Sequence, residues 1–190
     1  MNFGHASNGN YELEKVLTEL NDLVGMPVLT GNVYYVIPTT EGFYADFYKK
    51  YNKIYPDGTQ SVHSTIASAY ASCVSGRNDV VLISANAAHA QTSMLSITKN
   101  RIHFIGMSLR HGSIGMGARA RITMGVTTAA TDLAVMQNTG IGNTFRGLKF
   151  DSGNTKDESL YAVVEAGEYA IYENCEFYKS TDLDVSLAAE

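Results

Sequence analysis

From residue 79 onward, the chain consists of short β-strand patterns separated by Gly, Asn, Ser and Thr, and no helical period remains. This change of pattern constrains the fold most, because only short strands are then left to build the core of the remaining chain. Seven segments fit a strand: Val80–Ile83, Met94–Ile97, Ile102–Ile105, Arg121–Met124, Leu133–Met136, Tyr161–Val164 and Tyr169–Tyr172.

A six-residue motif occurs three times in this region: an aromatic residue, any residue, Gly or Asn, then apolar, polar and apolar residues. It begins at Phe104, Phe145 and Tyr172. The small third residue is Gly106, Gly147 or Asn174, and it suits a sharp bend with positive φ. The apolar residues on either side are then predicted to point inward.

The spacing of apolar positions predicts a coil that returns on itself. Leu82, Phe104, Met124 and Phe145 follow one another at nearly even intervals of roughly 20 residues, a spacing typical of solenoids, in which each coil covers its neighbour. The step from Phe145 to Tyr172 is longer, because it includes the polar loop 151–158. Equivalent strands of successive coils then form a parallel sheet along the axis.

Residues 1–30 are predicted to form an N-terminal arm with a short amphipathic helix between Asn10 and Gly25. A helix this short needs a surface to cover its apolar stripe. It either packs on its own domain or docks on a neighbouring subunit, and the pattern does not choose between them. The stripe consists of Leu13, Val16, Leu17 and Leu20.

Residues 31–78 are predicted to hold an entry strand, an aromatic segment and a second helix, ahead of the coils in residues 79–190. The strand is Val33–Ile37, and the helix is Ser61–Val74 with Ser61 as its N-cap. This helix is well placed to cap the first coil. The C-terminal residues 181–190 show no comparable plug, so we expect that end to be covered by a partner or by the tail itself.

The aromatic segment places Phe43, Phe47 and Tyr51 about one helical turn apart, with lysines between them. Aromatic residues mixed with lysines can stack nucleic-acid bases. The net charge of −5 argues against a nucleic-acid or anionic-membrane partner. We therefore expect packing or a subunit interface at these three residues.

The charge content, the apolar runs and the cysteines further narrow the class of protein to which this chain can belong. Charged residues make up 17% of the chain, below the roughly 25% of ordinary soluble domains. No membrane-spanning run or signal-peptide pattern occurs, so we expect a soluble protein with no membrane partner. Cys73 and Cys175 both fall on apolar faces, which favours two buried thiols over a disulfide and implies synthesis in a reducing cytoplasm.

Several segments in a fixed order carry a family resemblance: Gly31–Val36, Pro56–Gly58, Ser64–Ala69, Asn78–Ile83 and Glu173–Phe177. Together they resemble the pectin-lyase-fold structural proteins of tailed bacteriophages. The resemblance implies an all-β chain folded as a right-handed parallel β-helix, here with a capping helix and a helical arm in front. It also implies a trimer carried on the virion.

The same fold hosts pectate lyases and polygalacturonases, so the enzyme alternative is tested on residues. Glycoside hydrolysis needs two carboxylates facing one bond, and no such pair recurs one coil apart. Glu173 and Glu176 share a face, but solvated surface is the favoured interpretation. The five histidines show no metal-binding spacing, and His103 is expected to face outward. We expect no catalytic residue, metal or cofactor.

The sequence therefore predicts a non-enzymatic virion protein, made in the host cytoplasm. Its first interpretation is a capsid decoration (cement) protein, a homotrimer that clamps the major capsid protein or another virion protein through its arm. The alternative is a tail fibre or tailspike module that binds or cleaves a host surface polysaccharide. A chain of 190 residues leaves little room for the attachment domain and receptor tip of a tail fibre.

Overall fold

The computed structural model describes residues 31–107, 119–124, 134–152 and 161–178. The predicted arm, with Leu13, Val16, Leu17 and Leu20, lies outside the described residues, and so does the segment 181–190.

The described residues are mostly β-structure, with thirteen strands and two short helices. The strands are β1 (Val33–Val36), β2 (Val62–His63), β3 (Val80–Ser84), β4 (Ala88–Gln91), β5 (Leu95–Ile97), β6 (His103–Met107), β7 (Ala120–Met124), β8 (Ala134–Asn138), β9 (Thr144–Arg146), β10 (Leu148–Asp151), β11 (Tyr161–Glu165), β12 (Ile171–Glu173) and β13 (Glu176–Tyr178). The helices are α1 (Tyr44–Tyr51) and α2 (Ile66–Ser72).

These strands form three parallel sheets. Sheet 1 has the order β12-β9-β6-β3-β1-β2, sheet 2 the order β13-β10-β7-β4, and sheet 3 the order β11-β8-β5. From β3 onward the chain passes through sheets 1, 2 and 3 in the same sequence, and we call each such pass a circuit. The predicted all-β class with parallel sheets is confirmed.

The register within sheet 1 corrects the predicted repeat length. Val81 pairs with Phe104, Phe104 pairs with Phe145, and Phe145 pairs with Tyr172. Met124 belongs to sheet 2, so the prediction that Phe104 and Met124 mark successive coils was wrong. Apolar residues point inward from all three sheets, so their spacing alone does not separate a step within a circuit from a whole circuit.

Stacked aromatic rings run along the core. The rings of Phe104 and Phe145 lie 5.3 Å apart and nearly parallel, and Tyr172 stacks on Phe145 at 4.8 Å. A second stack joins Phe150 of sheet 2 to Phe177 at 5.7 Å. Each ring pair adds about 0.5–1.5 kcal/mol beyond the burial of its area, so these stacks hold successive circuits in register.

The recurring motif produces a left-handed backbone at two of its three bends. Gly147 has φ +61° and Asn174 has φ +51°, as predicted. Gly106 differs, because it lies inside β6 and pairs with Ile83. Glycine is required at this position for a steric reason, because a Cβ atom there would lie 2.1 Å from the carbonyl oxygen of Gly147.

Helix α2 is shorter than predicted and starts later. Thr65 is its N-cap, since the hydroxyl accepts a hydrogen bond from the Ser68 amide at 3.1 Å. The predicted cap, Ser61, instead accepts from the Lys53 amide at 2.8 Å. Val62 continues directly into β2, which pairs with β1, so the strand takes the first turn of the predicted helix.

One face of α2 lies against the core beside β1, β2 and β3. Ile66, Ala69 and Tyr70 are buried there. The Tyr70 hydroxyl accepts hydrogen bonds from the amides of Thr98 at 2.7 Å and Lys99 at 2.8 Å. The helix is thereby fixed to the chain just beyond β5, at the end of the core where the first strands lie.

Candidate functional site

The last described strand of each sheet, β11, β12 or β13, exposes side chains whose equivalents in the preceding circuits lie in the core. We call this surface the C-terminal face, and it is lined by Tyr161, Val163, Glu165, Tyr172 and Phe177. They surround an open cavity of about 390 Å³. Phe177 is 52% exposed, although the ring that it stacks on, Phe150, is fully buried. The same inward positions are therefore covered in one circuit and open in the next.

Glu165 is held firmly at the edge of this cavity. Its carboxylate accepts hydrogen bonds from the Asn138 side chain at 2.8 Å and from the Gly167 amide at 2.7 Å. The Tyr172 hydroxyl donates a further hydrogen bond to it. The pKa of Tyr172 is raised, mainly because the side chain is partly buried and secondly because its hydroxyl is bonded to this carboxylate. The carboxylate therefore serves to position its neighbours.

The sequence analysis named Tyr161 and Val163 as strand residues and Tyr172 as a strand residue and the start of a motif, but it did not group them as a site. The available signal was the position of these residues in the last three strands before residue 179, where no later described circuit can cover them. The prediction that the C-terminal end needs a cover is consistent with this exposed surface. What covers it was left open.

The predicted interface residues form a second candidate surface, the aromatic patch of Phe43, Phe47 and Tyr51. Phe43 is the N-cap of α1, and Phe47 and Tyr51 follow it within the helix; the ring centroids lie 6.4 Å apart for the first pair and 4.5 Å for the second. Phe47 also contacts Tyr35 of β1 at 5.4 Å. No residue of α1 is fully buried, so the patch packs on its own sheet with one side and is partly open on the other. A subunit contact there stays a prediction.

Asp79 is a buried carboxylate with a structural set of partners. It accepts hydrogen bonds from the backbone amides of Asn32 and Val74, both at 2.7 Å, and pairs with the Arg77 guanidinium at 2.7 Å. These contacts join the start of β1 to the residues after α2. A buried charge is tolerated only when it is paired in this way.

Other acidic side chains join successive strands on the outside of the circuits. Glu176 pairs with Lys149 at 2.8 Å, and this hydrogen bond lowers the pKa of Glu176. Pairs of this exposed kind contribute about 0–1 kcal/mol each. Further ion pairs in the described circuits join Arg121 to the buried Asp151, Arg146 to Glu173, and Arg119 to Glu176.

The position of His103 corrects the expectation that it faces the solvent. It points away from the core row of Phe104, as the alternation predicted, but it is only 8% exposed. Its register neighbours, Val80 and Thr144, are buried too, so the outer face of sheet 1 is covered here. Burial lowers the pKa of His103 to about 4. Within the described ranges, no three His, Cys, Asp or Glu side chains come together as a metal site.

Both cysteines are free thiols, as predicted. Cys73 is buried beside α2, and burial raises its pKa to about 12. Cys175 is half-buried, less than predicted, and its thiol donates to the Phe145 carbonyl at 3.2 Å. Neither thiol is placed as an activated nucleophile, because burial disfavours the thiolate.

No family model matches this chain, and neither the curated proteins nor the solved structures contain a significant match. Among the helices of the described residues, none is long and apolar enough to cross a membrane.

Proposed function

We propose that this chain is a non-enzymatic structural protein of a bacteriophage particle, folded as a right-handed parallel β-helix and acting as a trimeric capsid decoration protein. The observation that carries the proposal is the repeated passage of the chain through three parallel sheets in one order. Parallel connections are right-handed in about 98% of cases, which supports the handedness. The sequence resemblance to phage pectin-lyase-fold proteins points to the same class.

The build of the circuits supports a mechanical role. Each circuit pairs with its neighbours through the backbone, and the later circuits also stack aromatic rings, so each added circuit contributes to the stability of the whole stack. Three carboxylates of the described residues are engaged in contacts that hold neighbouring segments together. Asp79 and Glu165 each accept several hydrogen bonds, and Asp151 pairs with Arg121 at 2.6 Å.

Attachment to the shell is proposed to use the apolar stripe of the arm. Its four side chains are Leu13, Val16, Leu17 and Leu20. Full burial of each contributes roughly 1.5–3 kcal/mol before the ordering costs of binding. The aromatic patch of Phe43, Phe47 and Tyr51 is the proposed contact between subunits of the trimer.

Truncation tests the arm directly. A protein that lacks residues 1–24 should remain a folded, soluble trimer but fail to bind particles stripped of the wild-type protein, as measured by co-sedimentation. A matched pair of point variants refines this: Leu17→Asp should weaken binding strongly, whereas Thr18→Asp, off the stripe, should not. Full binding by the truncated protein would refute the arm.

Copy number separates the shell from the tail. Quantitative mass spectrometry of purified particles should give on the order of hundreds of copies for a decoration protein and about three to eighteen for a tail component, following the symmetry of each assembly. Release of oligosaccharides from host envelope by the purified protein would instead establish the polysaccharide-cleaving alternative.

A further inference from the structure

The cavity of the C-terminal face has fixed aromatic walls. The Tyr172 ring stacks on Phe145 at 4.8 Å and the Phe177 ring stacks on Phe150 at 5.7 Å, so each has one face held against the preceding circuit. The opposite faces are turned toward the end of the stack, where both residues line the cavity. The centroids of the two rings lie 5.7 Å apart with 62° between their planes, so the rings form two adjoining walls.

A carboxylate adjoins these walls and has no cationic partner. Glu165 lines the same cavity, and the Tyr172 hydroxyl donates a hydrogen bond to it. Its other donors, the Asn138 side chain and the Gly167 amide, are neutral. Among the ion pairs of the described residues, none involves Glu165. The cavity therefore carries a negative charge that these residues leave unbalanced.

The neighbouring ring of the same strand already holds a cation. Tyr178 follows Phe177 in β13, so its side chain points to the other face of sheet 2. The Lys149 ammonium lies 4.6 Å from the centroid of the Tyr178 ring, and a cation in this position is attracted by the negative face of the ring. No cation of the described residues lies over Phe177, although 52% of this residue is exposed.

The lining of the cavity favours a cation that makes no hydrogen bonds. Three of the six lining residues, Ala162, Val163 and Phe177, are apolar. A saccharide or a primary ammonium group would bring several donors to this surface, and a buried donor without a partner is costly. A trimethylammonium group has no donor, aromatic faces attract it, and a nearby carboxylate balances its charge. The volume of about 390 Å³ lies within the range of small-ligand pockets.

We propose that this cavity binds a small quaternary ammonium compound of the choline type. Its trimethylammonium group would lie against the rings of Tyr161, Tyr172 and Phe177, with its charge beside Glu165. Tyr161 is 53% exposed and supplies the third aromatic wall. The stacked rings and the carboxylate are already held in place, so binding requires little ordering. The site is a property of the isolated chain and does not rest on the proposed virion role.

Choline and its neutral isostere dimethylbutanol, in which carbon replaces the quaternary nitrogen, test the role of the charge. In a ligand-observed NMR titration of the full chain, choline should show saturable binding, and the isostere should bind about tenfold more weakly. Equal affinities would mean that the cavity recognises apolar shape alone, and this result would overturn the proposal. So would the absence of saturable choline binding to the folded protein.

Two matched pairs of variants locate the site. Phe177→Leu removes an aromatic wall but keeps an apolar side chain, so the affinity for choline should fall about tenfold, whereas Tyr178→Leu should leave it unchanged. Glu165→Gln removes the charge and should also weaken choline but not the isostere, whereas Glu168→Gln, outside the cavity lining, should have no effect. Circular dichroism verifies that each variant is folded. Equal effects within the Phe177 and Tyr178 pair would overturn the site, even if Glu165→Gln failed to fold.

Discussion

The two ends of the stack differ in how they are finished. At the first end, α2 buries Ile66, Ala69 and Tyr70 against the core. At the other end, the described residues leave Tyr161 53% exposed and Phe177 52% exposed. The comparison shows that a parallel stack can be closed by a helix made from the residues just before it. At the opposite end of the stack, no described helix covers the core in this way.

The largest expected difference lies between a ring inside the stack and a ring at its end. Phe145 is fully buried between Phe104 and Tyr172, so Phe145→Ala should lower the free energy of unfolding by about 3–5 kcal/mol. Phe177→Ala should cost about 1–2 kcal/mol less than this, because half of its ring is already in contact with solvent. Urea denaturation of both variants measures the difference. Equal losses would mean that Phe177 is as well covered as Phe145.

The stability of the protein should also depend on pH through His103, which lies on the buried outer face of sheet 1. Its pKa is about 4 in the folded protein and near 6.5 when unfolded, so the unfolded state binds the proton more readily. The stabilising effect of neutral His103 is complete above about pH 6.5 and is lost as the pH falls toward 4, by up to about 3 kcal/mol. Urea midpoints between pH 4 and 7 should therefore rise with pH in the wild type and less steeply in His103→Gln. Identical slopes would count against this assignment.

Removing one hydroxyl sharpens the comparison of the two ends. Tyr70→Phe leaves the amides of Thr98 and Lys99 without their acceptor and should cost about 1–3 kcal/mol. The control, Tyr161→Phe on the C-terminal face, should change stability by less than about 0.5 kcal/mol. Thermal unfolding by circular dichroism measures both. A similar cost for the two variants would show that the Tyr161 hydroxyl is engaged as firmly as that of Tyr70.

The smallest expected change is that of Asn174→Gly, which is compared with Gly147→Ala at the same bend of the preceding circuit. Gly147→Ala places a Cβ atom 3.0 Å from the Gly106 carbonyl oxygen at φ +61°, so it should cost about 1–3 kcal/mol. Asn174→Gly relieves a left-handed φ but loses a bond from Arg119, so it should stay within about 0.5 kcal/mol. Urea denaturation again decides. A neutral Gly147→Ala would show that the bend relaxes easily.

Apolar alternation located most strands of the circuits. The prediction listed β9, β10 and β13 only as parts of the recurring motif, and it did not find β4 at all. β4 was missed because its buried residues are His89 and Gln91. The His89 ring lies 2.6 Å from the Ser84 carbonyl, a contact that makes the inward position tolerable but leaves no apolar signal. Tyr169 was predicted to start a strand, but it has φ +56°, and β12 begins at Ile171.

The candidate surfaces were only partly predictable. The spacing of Phe43, Phe47 and Tyr51 correctly indicated that their side chains lie together. The C-terminal face was not assembled from sequence, because its residues come from three different sheets. These residues lie together only because of the strand register. The register could not be predicted, because the predicted length of a circuit was wrong.

The circuits differ in length, but equivalent strands of successive circuits keep the same register. Successive partners in sheet 1 are unevenly spaced along the chain, with the widest gap between Phe104 and Phe145, yet Val81, Phe104, Phe145 and Tyr172 still form one row. Extra residues are absorbed by the links between sheets. In such a scaffold, insertions and deletions can change the links between sheets while the paired strands of the interior keep their geometry. The positions that tolerate changes in length are therefore separate from the positions that determine the fold.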